Sequence, residues 1–62
     1  MTIEEAKQRI QTAIEQYGAQ AAPAIDLVIN EVRSGFGHET ANELIEEFAL
    51  ELRYNVLPTD FD

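Results

Sequence analysis

Among the 62 residues, the material for chemistry gathers in one stretch, SGFGHETANE, from Ser34 to Glu43. It holds two of the three glycines, the only histidine and, in Ser34, the only serine. A serine–histidine pair suggests a nucleophile and its base. His38, Glu39 and Glu43 offer one imidazole and two carboxylates to a metal. Each possibility is incomplete. A hydrolytic dyad needs an orienting acid and an oxyanion hole in a cleft that excludes water, which a chain this short rarely builds. The zinc pattern H-E-x-x-H is absent, because Asn42 stands four residues after His38. LPTDFD lacks the ligand ladder and glycine of a calcium loop. Ser34, between Arg33 and Gly35 at an expected helix end, lacks the helix-start setting that an acyl-carrier serine requires. The expectation is therefore a protein without catalytic residues, cofactor or metal.

Charge narrows the partners. The net charge is −8, with four basic residues against twelve acids, and no basic cluster exists. Nucleic-acid affinity comes largely from lysine and arginine neutralising phosphates, so direct binding is not expected. Anionic membranes are disfavoured on the same ground. No apolar run nears the roughly 20 residues that span a bilayer, and MTIEEAKQRI has early acids rather than a signal-peptide core. Without cysteine, no disulfide or thiolate site can form. These features fit a cytoplasmic protein. A hydrophobic content of 45% argues for a folded domain rather than an acidic disordered segment.

Three amphipathic helices are expected to form that domain. Thr2 and Glu5 make a T-x-x-E capping box, after which Ile3, Ala6, Ile10, Ala13, Ile14 and Tyr17 define one face before Gly18. Pro23 suits a first helical turn, and Ile25, Val28, Ile29 and Val32 supply the second apolar face, with Ser34-Gly35 as its end. Thr40 and Glu43 offer a second capping box ahead of Ala41, Leu44, Ile45, Phe48, Ala49 and Leu52. The spacing thus predicts a small all-α three-helix bundle, with helices over 2–17, 22–34 and 39–55. The domain covers residues 1–57, and 58–62 form a flexible acidic tail. Its large core residues are expected to be Ile3, Ile10, Ile14, Tyr17, Ile25, Val28, Ile29, Val32, Phe36, Leu44, Ile45, Phe48 and Leu52. Phe36, between two glycines, plugs the corner in this reading.

An unbroken third helix would carry a second ridge, Leu50, Tyr54 and Leu57, at i, i+4 and i+7 among Glu43, Glu46, Glu47 and Glu51. Leu27 adds an apolar residue on the outer face of the second helix. These eight residues form the expected partner-binding surface. The partner is another protein, either a second copy in a homodimer or a basic protein, and the function is interaction, regulation or assembly. The alternative is an acidic nucleic-acid mimic that inhibits a basic nucleic-acid-binding protein. A helix-turn-helix reading fails, because its recognition helix would present Glu39, Glu43, Glu46 and Glu47 to phosphate.

Overall fold

The computed structural model describes residues 2–58, and the expected tail, apart from Pro58, lies outside them. The fold is a small all-α bundle: α1 (Ile3–Tyr17), a 3-10 turn (Gly18–Gln20), α2 (Ala22–Phe36), α3 (His38–Glu47) and α4 (Leu50–Tyr54). α2 is the central element and packs against both α1 and α3. Its Ile25, Val28, Ile29 and Val32 are all buried, as the 3.6-residue period requires. Small residues from neighbouring segments, Ala6, Ala13, Ala21 and Ala41, are also buried and let the backbones approach closely.

Local chemistry sets the start of α1. The Glu5 amide donates to Thr2 Oγ1 at 3.1 Å, and the Thr2 amide donates to Glu5 Oε1 at 3.1 Å, so the capping box is complete. α1 stops at Gly18, whose φ of 55° and ψ of −122° suit a residue without a Cβ. The Gly18 amide returns to the Ile14 carbonyl. The second box does not form. α2 continues through Ser34 and Gly35 to Phe36, Gly37 turns the chain at φ 96°, and α3 begins at His38. Thr40 therefore lies within α3 rather than ahead of it, and no side chain caps this helix.

The main departure from the expected fold is a break in the third helix. Ala49 adopts the left-handed conformation, φ 53° and ψ 42°, so the segment expected to be continuous divides into α3 and α4. At the end of α3, the Phe48 amide donates to the Leu44 carbonyl at 3.1 Å and the Ala49 amide to the Glu46 carbonyl at 3.2 Å. A left-handed alanine costs about 1–2 kcal/mol because its Cβ crowds the carbonyl. What offsets this is Leu50, which the bend buries completely. Removing a leucine side chain from water is worth about 1.5–3 kcal/mol, and Val56, also buried, adds to that. Packing outweighs local strain.

α4 ends on a second left-handed residue, Asn55, whose amide donates to the Glu51 carbonyl at 3.1 Å. The Val56 amide reaches back to the Leu50 carbonyl at 3.2 Å, and the Tyr54 hydroxyl donates to the Gly18 carbonyl at 3.1 Å. The Tyr54 bond ties the end of the described chain to the α1–α2 junction.

The bend also rearranges the expected core. Leu52 is turned outward and is 91% exposed, whereas Leu50 has taken the interior position. Tyr17 and Phe36, the final residues of α1 and α2, are 56% and 46% exposed. Each continues its helix's apolar stripe, but the chain turns away immediately afterwards. Phe36 is therefore no plug. Ile3, Ile14 and Phe48 sit half-buried against the core.

Candidate functional site

The residues of SGFGHETANE do not assemble into a reactive centre. Ser34 is exposed near the end of α2, His38 is half-buried at the first position of α3, and Glu39 and Glu43 face solvent. Neither His38 nor Asn42 is a free group. Among the described residues, no cluster of three or more potential ligands is placed to hold a metal ion. No described helix is long and apolar enough to cross a membrane.

The expected binding ridge is divided by the bend. Leu50 is fully buried and cannot meet a partner in this conformation. Tyr54 is half-buried, with its hydroxyl committed to Gly18 and its ring 5.6 Å from the Arg53 guanidinium. Leu57 is 56% exposed and lines a shallow groove with Ala22, Pro23 and Asp26 at the start of α2. Leu27 is exposed as expected, one helical turn from Pro23. Glu43, Glu46, Glu47 and Glu51 are all exposed. The physical reason for the divided ridge is the loss of phase at Ala49, since i, i+4 spacing places residues on one face only within a continuous helix.

Leu52 replaces the lost ridge. It borders a cleft of about 420 Å³ between α3 and the segment after α4, lined by Asn42, Ile45, Glu46, Ala49, Glu51, Leu52 and Pro58. Ile45, Ala49, Leu52 and Pro58 make its apolar wall, and Glu46 and Glu51 supply carboxylates. A comparable open furrow runs along α1, lined by Glu5, Gln8, Arg9, Thr12, Ala13, Gln16 and Tyr17. Its described lining comes from one helix, so it is an irregularity of the α1 surface rather than a gap between elements. Periodicity missed Leu52 as a surface residue because it falls on the core stripe of an unbroken helix.

Charge around the cleft is unevenly matched. The chain's four basic side chains each have a contact within the fold. Lys7 Nζ lies 3.4 Å from Glu47 Oε1, and Arg9 Nη1 lies 3.2 Å from Glu31 Oε2. Arg33 Nη1 donates to Asn30 Oδ1 at 3.0 Å, and Arg53 covers the Tyr54 ring. Both ion pairs are solvent-exposed and so contribute about 0–1 kcal/mol each. Their consequence is electrostatic, since no ion pair among the described residues engages Glu46 or Glu51 beside the cleft. The Thr2 amide, followed by the Thr2 hydroxyl, holds Glu5 below the ordinary glutamate range.

Compared with known protein families, curated proteins and solved structures, the chain matches none of them.

Proposed function

We propose that this chain is a small non-enzymatic module that works by binding a basic segment of another protein through the acidic α3–α4 face. The observation that carries this reading is the pairing of an almost fully exposed Leu52 with unneutralised Glu46 and Glu51 on an otherwise compact bundle. Exposed apolar surface rimmed by charge is a usual form of protein-binding site. The absence of cysteine accords with work in a reducing cytoplasm.

Self-association has less support than it had from the linear pattern. The dimer ridge depended on Leu50, which lies inside the subunit. A symmetric contact across α3–α4 would also place Glu46 and Glu51 near their own copies, because a two-fold interface pairs the same patch with itself. A protein supplying lysine or arginine avoids that repulsion. The nucleic-acid-mimic reading draws on Glu39, Glu43 and Glu46, exposed at i, i+4 and i+7 along α3. Under that reading DNA displaces the bundle from its basic partner, and apolar residues are irrelevant.

Light scattering and fluorescence anisotropy against a labelled lysine-rich peptide test the proposal. A monomeric chain that binds the peptide, and loses affinity on Glu46→Gln/Glu51→Gln, supports it. A stable dimer, or a monomer without affinity for any basic peptide at low salt, removes it.

A further inference from the structure

We infer that the Leu52 cleft is a docking site for a short basic segment with one large apolar side chain, and that the site exists only while the chain is bent at Ala49. This rests on the protein-binding reading and names its occupant. Ile45, Ala49, Leu52 and Pro58 give the cleft an apolar wall, with Glu46 and Glu51 alongside. An apolar side chain fills the wall, and neighbouring lysine or arginine meets the carboxylates. Charge complementarity of this kind sets specificity and association rate. A second copy is a poor occupant, since Lys7 and Arg9 are ion-paired within the fold and a symmetric contact would set Glu46 and Glu51 against their own copies.

The bend supplies the second half of the inference. At about 100° per residue, an unbroken helix would place Leu52 roughly 20° from Ile45 and Leu50 roughly 140° from it. The observed break reverses their roles: Leu50 is fully buried and Leu52 is 91% exposed. Bent and straight arrangements therefore exchange one leucine for another of equal size. In the straight form Leu52 joins the stripe of Ile45 and Phe48, and the walls of the cleft separate. Ala49 is the hinge. Its left-handed geometry (φ 53°, ψ 42°) opposes the bent form by about 5–30-fold, the Boltzmann equivalent of the usual penalty for an L-residue. A ligand that needs the bent form is weakened by the fraction of molecules that are straight, and binding draws the population back.

Ala49 is exposed, so substitution there spares the core and acts on the backbone and the cleft wall. Ala49→Gly removes the left-handed penalty and disfavours a continuous helix, and both effects favour the bend. Ala49→Val acts oppositely, because a β-branched residue is a genuine outlier at positive φ.

The experiment titrates the full ¹⁵N-labelled chain with the peptides Lys-Lys-Leu-Lys-Lys and Lys-Lys-Ser-Lys-Lys at low salt, with circular dichroism on each variant. The leucine peptide is expected to bind at least fivefold more tightly and to shift Ile45, Glu46 and Leu52. Leu52→Ser is expected to abolish that preference. Ala49→Gly binds at least as tightly as the parent chain, whereas Ala49→Val binds at least fivefold more weakly with its helicity retained. Equal binding of both peptides, or a preference that survives Leu52→Ser, overturns the cleft. Undiminished affinity in Ala49→Val, or loss of its helicity, overturns the link to the bend. Failure of both peptides to bind defeats the broader protein-binding reading as well.

Discussion

Replacing Ala49 by glycine separates a bent from a continuous third helix by the sign of its effect on stability. In the bent structure Ala49 has φ 53° and ψ 42°, so the substitution removes a left-handed penalty of about 1–2 kcal/mol. Glycine also gives the unfolded chain more freedom, which returns about 0.4–1 kcal/mol of that gain. The net expectation is a stabilisation of about 0.5–1 kcal/mol, the difference between those two effects. For a domain of this size each kcal/mol moves Tm by about 4–8 °C. A rise of about 2–8 °C should therefore appear by circular dichroism, with a matching increase in the urea midpoint at unchanged m-value. In a continuous helix the same residue would be an interior alanine, where glycine costs about 1 kcal/mol. A fall in Tm by several degrees would refute the bend and the energetic account of it.

Four further substitutions examine the surrounding packing and capping. Leu50→Ala should destabilise by about 2–5 kcal/mol in urea melts, whereas Leu52→Ala at the exposed neighbouring position should remain within about 0.5 kcal/mol of the parent. Tyr54→Phe removes the hydroxyl that donates to Gly18 and should cost about 0.5–1.5 kcal/mol, with faster amide exchange at the α1–α2 junction. Thr2→Ala should cost about 1 kcal/mol through the lost cap, measured by thermal melts at neutral pH. It should also reduce the acid dependence of stability. Glu5 has a depressed folded pKa, so its contribution is present above the ordinary glutamate range and is lost as pH falls through the folded value. A parent and variant whose stability falls identically in acid would contradict that assignment.

What could be read from the linear pattern was whatever depends on neighbours in sequence. The Thr2–Glu5 box involves side chains three residues apart, and it formed as spacing implied. The buried face of α2 followed from helical period alone. Leu27 is exposed because its position lies away from that face. The Thr40–Glu43 pattern misled because Gly37 allowed α3 to start at His38, ahead of the apparent cap.

The bend was illegible for a different reason. Alanine is the strongest helix former, so nothing local marks Ala49 as a break. Its conformation follows from distant packing: Leu50 entering the core, Val56 covering it and Tyr54 reaching Gly18. Because that choice sets the phase of every later residue, it also decides which leucine faces solvent. The acidic part of the surface survived the change, since Glu43, Glu46, Glu47 and Glu51 are exposed on either side of the break. The exposed leucine on this face is Leu52 rather than Leu50.

The most direct measurement of the central claim is a residue-by-residue NMR map of where a leucine-bearing lysine peptide contacts the chain. The account predicts the largest shifts at Ile45, Glu46, Glu51 and Leu52, with the α1 surface around Gln8 and Thr12 unchanged. Shifts spread evenly over the exposed glutamates, or centred on α1, would contradict it.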